Sequence, residues 1–310
     1  MRTRIVAVVL LFWFAVAAGA AHAQERCSLQ TFSGTYVSVD RGSSTTIDLS
    51  STGVLGPAPG LPPSPPAWVA PGIVPFINIA LVTYTPDGIG DGYFWMSAGS
   101  LRATLEPIPL HITVTELNED CTGKFRYTLA NGVTIEERII VFDNGRQYRS
   151  VPTTIASPGI PTLAWIGTGH RISQGSAPVN SCGPQTARGS YLMSFDAIAK
   201  SGLYPTMAVA EMGLLRTDVS MAGDYTGVLY EKYGAASIDG RPVWGTVTVN
   251  PDCSFASTLN VEGLAGSTEL RGFFFNEGKE YYGMGILNPT KPADQFNIKY
   301  SFCHGTRIGQ

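Results

Sequence analysis

Charge is scarce in this chain. Only 15% of its residues are Asp, Glu, Lys or Arg, and no block of basic residues stands anywhere along it. That excludes nucleic acid as a partner, because affinity for phosphate backbones rests on clustered Lys and Arg. Long helix-forming tracts rich in Ala, Leu, Glu and Lys are also missing, whereas Gly (35) and Pro (21) are plentiful, a balance that points to many short strands and turns. Apolar runs are short: the longest, Ile5 to Ala18, falls below the roughly 20 residues that a membrane-spanning helix needs. No transmembrane helix is expected.

Catalytic patterns are equally sparse. Apart from His22, the histidines are His111, His170 and His304, and there is no HExxH, C-x-x-C, G-x-S-x-G or phosphate-binding glycine loop. Cys303 and His304 are adjacent, so on a strand they point to opposite faces and cannot bond to each other. Glu136 and Glu137 are separated in the same way and do not make a carboxylate pair. His170 and His304 could share a metal only if two parts of the chain faced each other. Asp120 and Asp252 each lie in an Asn-x-Asp turn, where a carboxylate caps backbone N–H groups. Neither catalytic nor metal-ligating residues are assigned, and no cofactor is expected.

What is present begins with a leader. Arg2 and Arg4 precede the apolar run, and Ala21-His22-Ala23 closes it, the order of a secretory signal peptide over residues 1–23. The mature chain then starts at Gln24 with 19 basic and 24 acidic residues, a net charge of about −5, and is expected to be secreted or periplasmic.

The mature chain repeats itself. CSLQTFSGTYVSVD from Cys27 is answered by CGPQTARGSYLMSFD from Cys182, HITVTELNEDC by WGTVTVNPDC, and IVFDNGRQY by FFFNEGKEY. Both halves finish alike, at Arg171-Ile172-Ser173-Gln174 and Arg307-Ile308-Gly309-Gln310. Cys27 and Cys121 are 94 positions apart, against 71 for Cys182 and Cys253. A proline-rich insertion at 56–75, with eight prolines, accounts for the excess. Two copies of this size read as two whole domains rather than a solenoid, with boundaries at 24–176 and 177–310.

Within each half the apolar period is two: Phe125, Tyr127 and Leu129 alternate with polar neighbours, as do Tyr191, Met193 and Phe195. Asn131-Gly132 and Asn144-Gly145 are hairpin dipeptides. About eight strands per half fit an all-β fold of two tandem antiparallel β-barrels, lipocalin-like, with β-sandwiches as the alternative. Closure is preferred because it removes unpaired edges, and because each half opens on a Gly-x-Tyr strand and ends on an Arg-Ile strand that would be neighbours in a barrel.

In a secreted chain the five cysteines are disulfide candidates. The repeat pairs Cys27 with Cys121 and Cys182 with Cys253 and leaves Cys303 over, although Cys303 could instead capture Cys182 across neighbouring first and last strands.

The opening Cys with Gly-Thr-Tyr, the Asp-Gly-x-Gly at 87–90, the Asn-x-Asp-Cys turns and the terminal Arg-x-x-Gln resemble a family of uncharacterised secreted bacterial β-barrel-like proteins, here in two copies. The second copy departs from that pattern at Ser254-Phe255, and the resemblance implies no activity. Aromatic residues suited to a lumen and a small apolar ligand are Tyr36, Trp95 and Tyr127 in the first half and Tyr191, Tyr230 and Trp244 in the second, with Trp68 in the proline tract; core packing is the competing role. The expectation is a secreted binding or scaffold protein without enzymatic activity. A cavity-based isomerase or cyclase on a lipocalin-like barrel is the alternative, and an outer-membrane barrel of some 16 strands the third. No protein partner is indicated.

Overall fold

The computed structural model describes residues 26–44, 74–98, 106–128, 134–156, 163–175, 181–200, 208–233, 236–263, 267–286 and 298–309. The expected leader, Trp68 and the expected turn at Asn131-Gly132 lie outside the described residues.

The first copy opens on a one-turn helix, α1 (Leu29–Phe32), and then runs through β1 (Gly34–Ser44), β2 (Val74–Tyr84), β3 (Ile89–Ala98), β4 (Ile108–Leu117), β5 (Thr122–Thr128), β6 (Thr134–Phe142), β7 (Gln147–Ala156) and β8 (Leu163–Gln174). The second copy repeats that order: α2 (Pro184–Ala187), β9 (Gly189–Lys200), β10 (Ala208–Val219), β11 (Asp224–Tyr233), β12 (Ala236–Val249), β13 (Ser254–Val261), β14 (Thr268–Phe275), β15 (Glu280–Ile286) and β16 (Ile298–Gly309). Within each copy every strand pairs antiparallel with its sequence neighbours, and β1 closes on β8 as β9 closes on β16. The result is two closed eight-stranded barrels, neither sandwiches nor a single barrel of sixteen strands. The closing registers put Tyr36 opposite Arg171 and Tyr191 opposite Arg307, the neighbours that the Gly-x-Tyr and Arg-Ile segments imply.

The Asn-x-Asp-Cys turns explain themselves once folded. Asp120 Oδ1 accepts from Thr122 N at 3.0 Å, and Asp252 Oδ1 accepts from Ser254 N at 3.0 Å. Each carboxylate thereby satisfies a backbone donor at a tight reversal. Cys121 and Cys253 follow with φ of 69° in both copies, and each is bridged to the cysteine ahead of its one-turn helix, Cys27 and Cys182 respectively. The disulfides therefore pin α1 and α2 across one end of their barrels. Cys303 is free and buried.

Alternation decides what each face does. On β1, Tyr36 points inward while Val37 and Val39 point outward, yet both outward valines are buried. What covers them is the other barrel. Val37, Val39, Ile77, Ile79, Leu81 and Trp95 form one core cluster with Phe273, Phe275, Tyr282, Met284, Ile286 and Phe302, all on the outer face of β14–β16. Polar contacts rim this dry contact. Arg41 Nη2 binds both carboxylate oxygens of Asp196 at 2.9 and 3.0 Å and lies over the Phe302 ring. Tyr93 donates to Asp252 Oδ2 at 2.6 Å, and Tyr282 OH meets His170 Nε2 at 3.2 Å. The two barrels thus share a core although each closes its own hydrogen-bond ladder.

Candidate functional site

At the disulfide end both barrels are plugged in the same way. Tyr36 OH donates to Phe32 O at 2.8 Å and to Gly145 O, while Arg171 Nη1 donates to Thr31 O at 2.6 Å. In the second barrel Tyr191 OH donates to Gly278 O at 2.8 Å and Thr186 O at 3.1 Å, and Arg307 Nη2 also donates to Thr186 O. A tyrosine and an arginine from the opening and closing strands therefore satisfy the exposed carbonyls of a one-turn helix, which its own backbone cannot do. Gly145 and Gly278, each at φ 74°, sit against Thr31 O and Thr186 O. A Cβ at either would collide with that carbonyl. This end is structural.

Halfway along the interior the barrels diverge. In the first, β1 turns Asp40 inward, β2 Asn78, β5 Tyr127, β6 Glu137, β7 Ser150 and β8 Trp165. Glu137 is 4% exposed, and its Oε1 accepts from Tyr127 OH and Trp165 Nε1, both at 2.9 Å. Burial raises the pKa of both acids, and the mutual repulsion of the two carboxyls raises that of Asp40 further. Asp40 is enclosed by the barrel, with part of its surface still exposed. The same burial lifts the hydroxyls of Tyr84, Tyr127 and Tyr148, which stay neutral. Burial therefore favours the protonated form of both acids, which stand framed by hydroxyls and aromatic rings.

Equivalent positions in the second barrel follow from matching hydrogen bonds: Val141 N to Cys121 O corresponds to Phe274 N to Cys253 O, and Arg171 N to Arg146 O corresponds to Arg307 N to Lys279 O. Counting along the strands from these anchors, Asp40 becomes Phe195, Asn78 Gly213, Tyr127 Leu259, Glu137 Leu270, Ser150 Gly283 and Gly167 Cys303. No acid remains at these positions. Phe195 fills the space over Gly213, where a Cβ would stand 2.3 Å from its Cζ, and Cys303 Sγ fills that over Gly283. Burial pushes the Cys303 thiol up to about 12, so it behaves as a small apolar side chain and not a nucleophile. A cavity of about 50 Å³ is left, lined by residues that include Tyr191, Met193, Leu215, Phe255 and Phe274. That is far below the roughly 300 to 1,000 Å³ of small-molecule sites.

The aromatic residues singled out from the sequence are scattered by the fold. Tyr36 and Tyr191 belong to the structural plugs. Trp95 lies between the barrels, 5.2 Å from the Phe273 ring centre. Tyr230 and Trp244 stand on the outer face of the second barrel, about half exposed. Only Tyr127 reaches the polar interior. Asp40, Glu137 and Trp165 were not singled out, although Glu137 carries a legible signal: an acid in step with the inward Ile135, Ile139 and Val141. His170 and His304 do approach the same Tyr282, but among the described residues no three His, Cys, Asp or Glu form a metal-binding group.

No family model and no curated protein matches the chain, so the resemblance carried by the cysteine and Asn-x-Asp motifs has no counterpart there. Among solved structures, the vaccine antigen transferrin binding protein B of Haemophilus parasuis aligns at 9% identity and a TM-score of 0.29, covering 89% of this chain and 76% of that one. A protein of unknown function from the DUF3598 family of Nostoc punctiforme aligns at 10% identity and a TM-score of 0.27, covering 91% of this chain and all of the other. At these values the likeness carries no argument about function. Among the described residues no helix is long and apolar enough to cross a membrane.

Proposed function

We propose that the protein is a non-enzymatic binding protein of the secreted or periplasmic compartment, in which the first domain (24–176) holds a small molecule and the second (177–310) supports it. The observation that carries this reading is the contrast between the interiors: the second barrel is apolar and nearly filled, whereas the first spends its interior on an acid pair and on buried polar atoms without partners. Such groups lower stability unless something satisfies them, and the second copy holds the same frame with apolar residues at these positions. Two disulfides support the compartment, as does the residue order at 1–23 that reads as a leader. The apolar ligand expected from the aromatic residues fits this interior less well than one with polar groups.

A second reading, an isomerase or cyclase inside the first barrel, is favoured by one observation: a buried acid pair with raised pKa values can both give and accept a proton. Native mass spectrometry of the full chain purified from its own host tests the main reading. A copurified small molecule, lost when Asp40 or Glu137 is replaced, is the expected result. Uniformly ligand-free protein would overturn it, and release of a chemically altered compound would favour the enzyme.

A further inference from the structure

The first barrel contains hydrogen-bonding atoms that its fold does not use. Ser150 is 2% exposed and its Oγ has no hydrogen-bond partner of ordinary geometry, although it comes near enough to Glu137 to lower that acid's pKa. Its direction is fixed by Gly167: a Cβ there would stand 2.1 Å from Ser150 Oγ and 2.4 Å from Asp40 Oδ1. Serine oxygen and carboxylate oxygen therefore crowd one spot that only a glycine leaves open. Asn78 Oδ1 and Tyr84 OH likewise have no partner of ordinary geometry, although Asn78 comes near enough to Asp40, and Tyr148 to Tyr84, to act on them. Native interiors contain few such atoms. Two of them, on Asn78 and Ser150, stand beside the acid pair.

The chemistry of the missing partner follows from what the cluster offers. Two carboxyls, an amide oxygen and hydroxyls accept hydrogen bonds, and the groups acting on the two acids include no cationic side chain. An anion is excluded by charge. A neutral apolar molecule would leave the acceptors unpaired. A calcium ion wants roughly six to eight oxygen ligands, and one of the two carboxyls here already accepts from Tyr127 and Trp165 through Oε1. The walls are aromatic: Tyr127, Tyr148 and Trp165 face the interior, and aromatic faces attract organic cations.

We propose that Asp40 and Glu137, with Asn78 and Ser150, form a site for a small organic cation bearing N–H donors, a primary ammonium or a guanidinium. The inference rests on the first barrel being the one that holds a ligand. A bound cation favours the ionised carboxyl, so binding releases protons. The groups facing the pair from the other strands do not blur this: Tyr84, Tyr127 and Tyr148 stay neutral, and Phe94 and Ile112 present apolar side chains from β3 and β4.

Calorimetric titration of the full chain at neutral pH with n-butylammonium, cadaverine, arginine, tetramethylammonium and calcium chloride tests the site. The N–H-bearing cations bind one to one with proton release, read from the dependence of the heat on buffer ionisation, and tetramethylammonium, which has no N–H, does not bind. Asp40→Asn and Glu137→Gln each weaken binding by roughly tenfold or more and reduce the proton release. Ser150→Ala, which removes one unpartnered hydroxyl and spares the frame, weakens it a few-fold, so the test survives if an acid variant misfolds. Absence of binding by every amine, unchanged affinity in both acid variants, or binding of calcium alone overturns the proposal. If the amines fail while native mass spectrometry finds a neutral molecule, this inference falls and the binding-protein reading stands; if both are negative, both fall.

Discussion

The two barrels are the same frame filled in opposite ways. Their plugs match residue for residue, Tyr36 with Tyr191 and Arg171 with Arg307, and their disulfides bridge the same two places. Two residues inward from each plug the match ends, Ser38 standing where the other barrel has Met193, and two further on Asp40 faces Gly167 in one barrel and Phe195 faces Cys303 in the other. Closure, end plug and hairpin chemistry are thus set by residues that duplication preserved, and the interior above them is free to diverge. A barrel that needs only to stand can fill itself with Phe195, Leu270 and Cys303. One that keeps Asp40 and Glu137 in the same positions bears a desolvation cost that apolar side chains avoid.

The comparison can be broken most forcefully at the disulfides. If the frames are equivalent, Cys121→Ala and Cys253→Ala should destabilise their own barrels by similar amounts, roughly 4 to 5 kcal/mol at most in the chain-entropy view, because the closed loops differ little on a logarithmic scale. Urea unfolding with a probe in each barrel measures this, and a large inequality would mean the frames are not alike. Phe273→Ala removes a fully buried ring from the shared core and should cost about 3 to 5 kcal/mol; in scanning calorimetry a single transition should split in two as the barrels uncouple.

Smaller effects sharpen the contrast between interiors. The raised pKa values of Asp40 and Glu137 mean that the folded first barrel holds protons that the unfolded chain releases. Its stability is therefore fullest below the ordinary carboxyl range and declines as pH rises through the raised folded values. Asp40→Asn should remove most of that decline and gain on the order of 1 to 3 kcal/mol in mildly alkaline buffer, while the second barrel, which has Phe195 and Leu270 at these positions, shows no matching change. Denaturation profiles across pH decide it. The least effect belongs to the rim: Arg41→Met breaks a half-exposed ion pair with Asp196 and should cost no more than about 1 kcal/mol, with calorimetric coupling of the barrels preserved.

Much of the frame was legible. Gly-x-Tyr and Arg-Ile read as neighbours, the repeat paired four cysteines, and period-two alternation supplied the strands, because each of these signals is local or is written twice. The site was not, for a geometric reason. Glu137 was set against Glu136, its neighbour in sequence, which a strand sends to the opposite face; its partner is Asp40, 97 positions earlier and brought near only when the barrel closes. The shared core between barrels left a trace that went unused: Phe273-Phe274-Phe275 and Ile77 to Val82 are apolar on both faces except at Asn78, the mark of strands covered on both sides. Trp95, read as a lumen residue, shows the consequence, since in a barrel with one covered wall an outward aromatic residue is as buried as an inward one.

The most direct measurement is the infrared spectrum of the full chain in neutral buffer. A carbonyl stretch of a protonated carboxylic acid should be present and should disappear in Asp40→Asn or Glu137→Gln, because no acid of the second barrel occupies the corresponding positions. A spectrum of the ligand-free chain with only ionised carboxylates at neutral pH would contradict the account, since burial would then hold no proton on either acid of the first barrel.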